Sequence, residues 1–380
     1  MPATSFLRSR STSPIGDDSD DEKLSRRYSR RESAEWFRPS GRIFRSRSIL
    51  LAVIASALFG VFVTMGPLKS TYEHGKCQAA IYISGIPKVQ PGASNATSSR
   101  PEYASYMEGE SQWAKAIHPD ELMEKLERGE TIEAKLIHQS WKTRNDVPPN
   151  FEDWGRQWRK LHGPDWKYVL WTDEDNLKLV QKFYPEFLQT YQNLPREIYR
   201  ADMVRNMYMH RFGGLYADLD LIPLSSITEH LPVFNSSIPA PMRIAYVGRM
   251  SKETFEHSIP NAFMASTSAG HPFWLRPLSF VQDNISDSNY NRQPEELTGP
   301  VALRRCVSDW QDQVDERNGA GQYDEVRVIE GGKIYPFTWN DSPLSAQCIC
   351  WPRNPTFDSQ RCHQLYPNAW TITYWTHTWG

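Results

Sequence analysis

The 380-residue sequence lacks an excess of charge of either sign. It contains 43 Lys and Arg against 45 Asp and Glu, so its formal net charge at pH 7 is −2. Proteins that hold nucleic acid through bulk electrostatics carry a basic excess. The balance found here gives no support for that class of partner, so we expect no nucleic-acid binding.

Apolar residues are scarce in residues 1–47, which are rich in Ser, Arg and Asp. Such a composition cannot bury enough apolar surface to fold, so we expect a disordered tail. Charge is then missing altogether from Ile49–Leu68. At about 1.5 Å per residue, this run reaches about 30 Å, the thickness of a hydrocarbon core. We therefore predict a transmembrane signal anchor over residues 48–68.

The charges that flank the predicted span indicate its orientation. Arg42, Arg45 and Arg47 lie immediately before it, whereas only Lys69 and Lys76 follow closely. The positive-inside rule then places the tail in the cytosol and the rest of the chain in the lumen, as a single-pass type II membrane protein. A cleaved secretory signal is one alternative, but such a signal begins within the first residues, whereas this run follows a long tail. A buried core helix is the other alternative.

Cysteine is also scarce, with five residues and none in the predicted cytosolic tail. Cys306, Cys348, Cys350 and Cys362 lie in the last quarter of the chain and could form two disulfides, with three possible pairings. A zinc site is the alternative, but an oxidising lumen favours disulfides. Cys77 is left over and could pair between chains, which would give a homodimer.

The chain after the span divides into a lumenal stem, residues 69–130, and a domain over residues 131–380. The first predicted elements of this domain are a strand at 134–141, a helix at 151–161, a strand at 166–171 and a helix at 177–183. This alternation predicts an α/β fold with a mostly parallel central sheet. Ligands bind beyond the carboxyl ends of such strands, so we expect His138–Trp141, Trp171–Asp173 and Asp218–Asp220 on one rim.

The stretch Pro195–Leu224 is the most informative part of this domain. Pro195 suits the first position of a helix, and Asp202 and Arg205 are three residues apart, so they share a helical face. Gly213 and Gly214 are predicted to end the helix, because glycine accepts the left-handed geometry of a helix C-cap.

A strand is predicted next, over Leu215–Ile222. Side chains alternate along a strand, so Asp218 and Asp220 are expected to point the same way. Two such carboxylates suit a hard divalent cation that also binds phosphate. A bare D-x-D is common by chance, and a second one, at Asp173 and Asp175, is interpreted as the acidic first turn of a helix.

Several segments together resemble glycosyltransferase family 32. They are, in chain order, Ile137–Thr143, Tyr168–Asp173, Pro185–Phe187, Arg200–Arg205, Gly213–Asp220, Asn261–Ser266, Thr298–Pro300 and Trp375–Trp379. The resemblance extends from about Lys135 to the end of the sequence. It implies a GT-A fold and a retaining transfer of a sugar, usually mannose from GDP-mannose, with Mn²⁺.

The resemblance also implies roles for individual residues. Asp218 and Asp220 match the D-x-D that holds the metal and the donor diphosphate, with His377 as a further candidate metal ligand. Asp202 and Arg205 match the pair that contacts the donor sugar. The residues that match the nucleotide-sugar pocket are His138, Gln139, Trp141, Trp171, Tyr216 and Trp379.

These matches lead us to expect a mannosyltransferase in the Golgi lumen that acts on glycan acceptors of glycoproteins. An inositol-phosphoceramide mannosyltransferase is the alternative acceptor class, and the absence of a C-terminal span makes it the less expected one. A complex with other glycosyltransferases is a further expected partner. A lumenal glycan-binding or scaffold protein without catalysis is the alternative from another functional class, and the intact D-x-D argues against it.

Overall fold

A computed structural model describes residues 71–86, 111–234, 242–250, 252–290, 292–313, 324–339 and 341–376. The predicted disordered tail, the predicted span Ile49–Leu68 and the predicted site residues His377 and Trp379 lie outside these ranges. Within them, no helix is both long and apolar enough to cross a membrane.

A mixed β-sheet forms the centre of the described part of the chain. The strands are Lys115–Ala116 (β1), Leu136–Ser140 (β2), Lys167–Trp171 (β3), Gly214–Ala217 (β4), Leu221–Pro223 (β5), Arg243–Gly248 (β6), Phe263–Ser266 (β7), Asp324–Ile329 (β8) and Thr371–Thr373 (β9). Seven of them form one sheet in the order β1-β3-β2-β4-β7-β6-β8. Among the described strands of this seven-stranded sheet, only β7 runs antiparallel to its neighbours. The predicted α/β class with a mostly parallel sheet is confirmed.

Helices cover both faces of this sheet. They are residues 71–83 (α1), Pro119–Glu127 (α2), Pro149–His162 (α3), Asp173–Phe183 (α4), Leu188–Asn193 (α5), Glu197–Arg211 (α6), Ile227–His230 (α7), Leu275–Asn284 (α8), Pro294–Leu297 (α9), Pro300–Asp312 (α10), Leu344–Cys350 (α11) and Ser359–Leu365 (α12). Alternate side chains of β3 pack into two separate hydrophobic cores. Val169 and Trp171 belong to one, and Tyr168 and Leu170 belong to the other. Burial on both faces is typical of sheets with parallel strands.

The core begins before residue 131, the predicted start of the domain. β1 pairs with β3 through Lys115 and Lys167, and Leu122 of α2 is buried in the same core as Val169. Part of the segment assigned to the stem is therefore built into the sheet and its covering layer.

Two adjacent glycines connect α6 to β4. Gly213 and Gly214 have φ angles of 69° and 83°, values that L side chains rarely adopt. A Cβ on Gly214 would stand 2.4 Å from the carbonyl oxygen of Leu136. The predicted glycine stop is confirmed, and the close approach lets β4 pair with β2.

The predicted continuous strand Leu215–Ile222 is wrong. β4 ends at Ala217, and residues 219–220 form a turn that leads into β5, which belongs to a separate two-stranded sheet with β9. The turn is closed where Leu221 N donates to Asp218 O at 3.0 Å. The alternation of Asp218, Leu219, Asp220 and Leu221 fits this turn as well as a strand, because Leu219 and Leu221 are buried while the two acids are partly exposed.

The expected disulfide pairing also needs correction. Cys77 pairs with Cys348 within the chain, rather than with a second chain, and Cys350 pairs with Cys362. Cys306 is free and buried in α10. The Cys77–Cys348 bond fastens α1 to a small third core, and this core also holds Ile222 of β5 and Ile372 of β9.

Candidate active site

The turn that carries the two acids is held by its neighbours in the sheet. Asp218 N donates to Ala262 O at 2.9 Å. The side chain of Gln139, at the end of β2, donates to the carbonyl oxygens of Ala217 and Asp218, both at 3.3 Å. Tyr168 Oη donates to Gln139 Oε1 at 2.9 Å, which orients the amide. The turn is thus fixed by both neighbours of β4 in the sheet, through Gln139 of β2 and through Ala262, next to the start of β7.

Asp218 is joined to both a phenol and a guanidinium. Tyr216 Oη donates to Asp218 Oδ1 at 2.6 Å, and Arg205 Nη1 lies 3.2 Å from the same oxygen. The guanidinium also lies over the Tyr216 ring, 4.7 Å from its centroid. The Asp218 side chain keeps 27% of its surface exposed, against 6% for Arg205. One carboxylate oxygen is therefore tied to the protein while the group as a whole remains accessible.

Arg205 and Asp202 form a buried pair on α6, as their spacing predicted. Arg205 Nη2 lies 3.1 Å from Asp202 Oδ1, and Arg205 Nη1 donates to Asn261 O at 2.9 Å. Asn261 Nδ2 in turn donates to Asp202 Oδ1 at 3.0 Å, and Thr298 Oγ1 donates to Asp202 Oδ2 at 3.4 Å. These bonds hold α6, the start of β7 and the loop before α10 in one arrangement.

The environment shifts the pKa of both members of this pair. Burial raises the pKa of Asp202 to about 6, and the neighbouring Arg205 opposes that shift only partly. Burial acts against the charged form of Arg205, but Asp218 and Asp202 hold its pKa above the ordinary value. Arg205 is thus a permanent cation between two acids.

Asp220 is held from the C-terminal strand. β5 pairs with β9 so that Leu221 faces Thr373, which brings Thr376 against the turn. Thr376 donates to Asp220 Oδ2 twice, from its backbone N at 3.0 Å and from Oγ1 at 2.9 Å. Burial, followed by the charge of Asp218, raises the pKa of Asp220 to about 6, although the Thr376 bonds lower it.

These two acids fit a divalent cation. Carboxylate oxygens are the ligands that Mg²⁺ and similar hard cations prefer. Burial is the main cause of the raised pKa of Asp220, and the negative charge of Asp218 adds to it by repulsion across the turn. A cation bound to both would remove this repulsion.

Two cavities meet at this turn. The larger, of about 430 Å³, and the smaller, of about 180 Å³, share Ile198, Arg205, Asp218 and Asp220 as lining residues. Asp202 and Asn261 line only the smaller one. The two acids and the guanidinium therefore lie where a ligand in one cavity would meet a ligand in the other.

The larger cavity receives two of the residues predicted for the nucleotide pocket. Trp141 and Tyr216 line it, and the Trp141 ring packs edge-on against Phe151, with centroids 5.4 Å apart. Lys142 and Arg196 bring positive charge to the same lining. The sequence assigns neither cation a role: Lys142 lies in the matched segment Ile137–Thr143 but has no implied function, and Arg196 lies outside the matched segments.

Three further predicted pocket residues, all within the described ranges, lie elsewhere. His138 and Trp171 are fully buried: Trp171 Nε1 donates to His138 Nδ1 at 3.0 Å, and His138 Nε2 bonds to Gly213 O at 3.0 Å. Gln139 is buried as well and supports the turn through the bonds described above. None of the three lines either cavity, so the structure places them behind the site, where they fix the ends of β2 and β3.

Asp173, interpreted from the sequence as part of a helix cap, faces the larger cavity. Thr172 is the N-cap of α4, and Asp175 completes the capping box, so the carboxyl of Asp173 is not needed there. Burial and the nearby Glu197 raise the pKa of Asp173 to about 6. The position of this side chain could not be derived from the cap alone, because its neighbour Asp175 makes the capping bond.

A second group of potential metal ligands lies apart from the turn. Atoms of His118, Asp120 and Asp175 lie within 4.8 Å of one another. Asp175 also bonds Arg144 and closes the cap of α4, while His118 caps α2. None of these residues lines either cavity, so the group is explained by helix capping.

Residues 148–240 match the family model described as "Glycosyltransferase sugar-binding region containing DXD motif". The matched range contains Asp202, Arg205, Asp218 and Asp220. The resemblance seen in the sequence is therefore confirmed for this region of the chain.

Curated relatives extend the similarity. The chain is 44% identical over 183 residues to Inositol phosphoceramide mannosyltransferase 3 of Schizosaccharomyces pombe, covering 46% of this chain and 45% of that protein. It is 42% identical over 86 residues to Mannosyl phosphorylinositol ceramide synthase SUR1 of Saccharomyces cerevisiae, covering 23% and 22%. It is 28% identical over 97 residues to the Initiation-specific alpha-1,6-mannosyltransferase of Saccharomyces cerevisiae, covering 24% and 20%. The match spans less than half the length of each relative.

Among solved structures, the PaToxG glycosyltransferase is similar over 52% of this chain and 80% of that chain, with a TM-score of 0.35 and 16% identity.

Proposed function

We propose that this chain is a retaining mannosyltransferase of GT-A type that uses GDP-mannose and Mn²⁺. One observation carries the proposal: Asp218 and Asp220 lie where the two cavities meet, with the guanidinium of Arg205 beside them. The match to a DXD sugar-binding region and the relatives named as mannosyltransferases support the same chemistry.

The larger cavity suits the nucleoside diphosphate. Its volume of about 430 Å³ lies in the range of about 300–1,000 Å³ that is usual for small-molecule sites. Trp141, which packs against the buried Phe151, offers aromatic surface to a base. Lys142 and Arg196 offer positive charge to phosphate. The carboxyl of Asp173 suits the N–H donors on the edge of a guanine, which supports GDP as the nucleotide.

Asp218 and Asp220 would hold the divalent cation. When bound, such a cation supplies positive charge that stabilises a leaving diphosphate. Arg205 adds a fixed second cation at the same place, because Asp202 and the carbonyl of Asn261 set the direction of its guanidinium. Fixed positive charge in a partly buried site stabilises developing negative charge more strongly than the same charge in water.

The relatives favour a phosphoinositol-ceramide glycolipid as the acceptor. The two relatives named for inositol-phosphoceramide chemistry are 44% and 42% identical over their matched stretches, against 28% for the alpha-1,6-mannosyltransferase. The glycoprotein glycan expected from the sequence is the second acceptor class to be tested.

We place the domain in the lumen of the Golgi, anchored by the span predicted before residue 69. The disulfides Cys77–Cys348 and Cys350–Cys362 support this side of the membrane, because the cytosol keeps thiols reduced. The cation site and the disulfides then share one compartment.

The acceptor is tested with purified full-length chain, radiolabelled GDP-mannose and Mn²⁺. Inositol phosphoceramide in mixed micelles and a mannose oligosaccharide are offered separately. We expect transfer to the ceramide acceptor, with a product sensitive to α-mannosidase. Transfer to the oligosaccharide alone would contradict the acceptor assignment. Glycan binding without any consumption of GDP-mannose would contradict the enzymatic function and favour the scaffold alternative.

A further inference from the structure

The smaller cavity has a lining that the donor does not account for. Beyond Asp202 and Arg205, which match the donor-sugar pair, it is lined by Trp339, His257 and Glu295, among others. These three come from separate segments: the loop after β8, the loop between β6 and β7, and the first turn of α9. Their convergence on one cavity indicates a second binding function.

The burial of the lining residues divides this cavity into an inner and an outer part. Asp202 and Arg205 are buried, at 6% and 5% exposure, whereas Trp339, His257 and Glu295 are partly exposed. A donor sugar attached to a nucleotide in the larger cavity reaches the inner part through the shared turn. An acceptor is attached to a larger molecule and must enter from solvent, so the outer part is the one open to it.

The aromatic wall of the outer part is held rigidly. The rings of Trp339 and Trp375 meet at 80° with centroids 4.6 Å apart, and Trp375 Nε1 donates to Phe337 O at 2.9 Å. Trp375 has a φ of 52°. Among the described residues, it is the only non-glycine with a positive φ. Such backbone strain persists only where the surroundings enforce it, and it concentrates at functional sites.

We propose that this outer part binds the acceptor ring, a cyclic polyol such as inositol or mannose. Trp339 packs against the C–H face of the ring, and Glu295 and His257 bond its hydroxyl groups. An apolar wall with a few polar groups is the usual composition of a small-molecule site. The inference rests on the proposed transferase function, because it is Asp218 and Asp220 that orient the donor toward this part of the cavity.

The test compares Trp339→Leu and Trp339→Phe with Trp370→Leu in the full-length chain. Trp370 is a matched control, since it is partly buried, stacks on His230 with centroids 4.5 Å apart, and does not line either cavity. KM is measured for GDP-mannose and for two acceptors, inositol phosphoceramide in mixed micelles and a mannose oligosaccharide. The two acceptors distinguish an inositol ring from a mannose ring.

We expect Trp339→Leu to raise the KM of the preferred acceptor about tenfold, the loss typical of one aromatic packing contact. The KM of GDP-mannose should change by less than about twofold. Trp339 is proposed to contact the acceptor only, and loss of an acceptor contact leaves the binding of the donor unaltered. Trp339→Phe should recover most of the acceptor affinity. If Trp339→Leu fails to fold, Glu295→Gln provides the same comparison, with a raised acceptor KM and an unchanged KM for GDP-mannose.

An acceptor KM that is unchanged in an active Trp339→Leu variant would overturn the assignment. So would a KM for GDP-mannose that rises in parallel, because Trp339 would then belong to the donor site. Failure of the wild-type chain to release GDP from GDP-mannose is a different result: it would overturn the proposed function itself, and the acceptor site with it.

Discussion

Arg205 Nη1 lies 3.2 Å from Asp218 Oδ1, while Nη2 of the same guanidinium lies 3.1 Å from Asp202 Oδ1. One side chain thus connects the acid of α6 to the acid of the turn after β4. The planar guanidinium contacts both acids and the carbonyl of Asn261 at once. A lysine ammonium has no such fork, so the position requires arginine and not merely a positive charge.

Arg205→Lys tests this requirement. We expect kcat/KM to fall about 100-fold, the range seen when one fixed electrostatic partner of a reacting group is removed. Lysine keeps the charge in the buried site, which limits the loss of stability. Arg211→Lys, at the end of the same helix, is the control, since Arg211 donates to Phe183 O outside both cavities. Activity of Arg205→Lys close to that of the control would contradict a direct role.

Thr376→Val tests the support of Asp220. Valine removes the Oγ1 donor but keeps the side-chain shape, so the Asp220 carboxylate loses one of its two bonds from Thr376. Loss of such a bond behind a metal ligand weakens metal binding by about 10–100-fold. We expect a weaker Mn²⁺ affinity near the lower end, measured by calorimetry, and Thr376→Ser should remain near wild type. Equal affinity in both variants would exclude a role for the hydroxyl.

The cysteine assignment predicts a defined pattern of linked peptides. Non-reducing peptide mapping should find Cys77 joined to Cys348, Cys350 joined to Cys362, and Cys306 open to alkylation only after unfolding. Replacing Cys77 and Cys348 together by Ser should lower the free energy of unfolding by about 2–4 kcal/mol. Cys306→Ser should cost much less. A Cys77-linked dimer on a non-reducing gel would contradict the intrachain bond.

Three buried histidines predict a loss of stability in acid. His138, His162 and His271 each accept one hydrogen bond and have a carbonyl as the second partner, which requires the neutral ring. Burial lowers the pKa of His162 from 6.5 to about 4. Because the folded pKa is the lower one, the unfolded state binds more protons between these values. Stability is therefore lost as the pH falls below 6.5, by about 1 kcal/mol for His162 at pH 5.5.

His162→Gln isolates this contribution. A glutamine amide can donate to Trp158 O and accept from Ile227 N, as His162 does, but it does not titrate. Asp173 and Asp202 have raised pKa values, so their contribution to stability grows as the pH falls and opposes that of the histidines. This contribution is the same in the wild type and in His162→Gln, so the difference between the two proteins reports on His162. Urea unfolding from pH 7 to 5 should show a shallower loss for His162→Gln. Parallel curves would contradict a neutral buried His162.

The sequence predicted the sheet and the two acids because these depend on local patterns. Apolar strands alternating with helices indicate the α/β layer, and Gly213 and Gly214 mark the end of α6. The course of the chain after Ala217 depends instead on β9, whose residues lie about 150 positions later and pair with β5. No local pattern contains that partner, so the sequence predicts a continuous strand where the structure has a turn at Asp218.

Burial and long-range packing explain why the positions of several side chains at the site could not be predicted from the sequence. His138 and Trp171 are adjacent to the rim in the sequence, but their rings turn into the core, where each satisfies the other's hydrogen bond. Nothing in the sequence distinguishes Thr376 from other threonines. Its contact with Asp220 arises because β9 pairs with β5. The pairing of Cys77 with Cys348 spans 271 residues and depends on where α1 packs, which spacing does not reveal.

The central claim is that Asp218 and Asp220 hold a divalent cation together with the diphosphate of GDP-mannose. Calorimetric binding of GDP-mannose to the wild-type chain and to Asp220→Asn, with Mn²⁺ and with EDTA, tests it most directly. We predict tight binding only for the wild type in Mn²⁺, and weak binding of equal strength in the other three cases. Binding to the wild type that is unaffected by EDTA, or Mn²⁺-dependent binding that persists in Asp220→Asn, would contradict the claim.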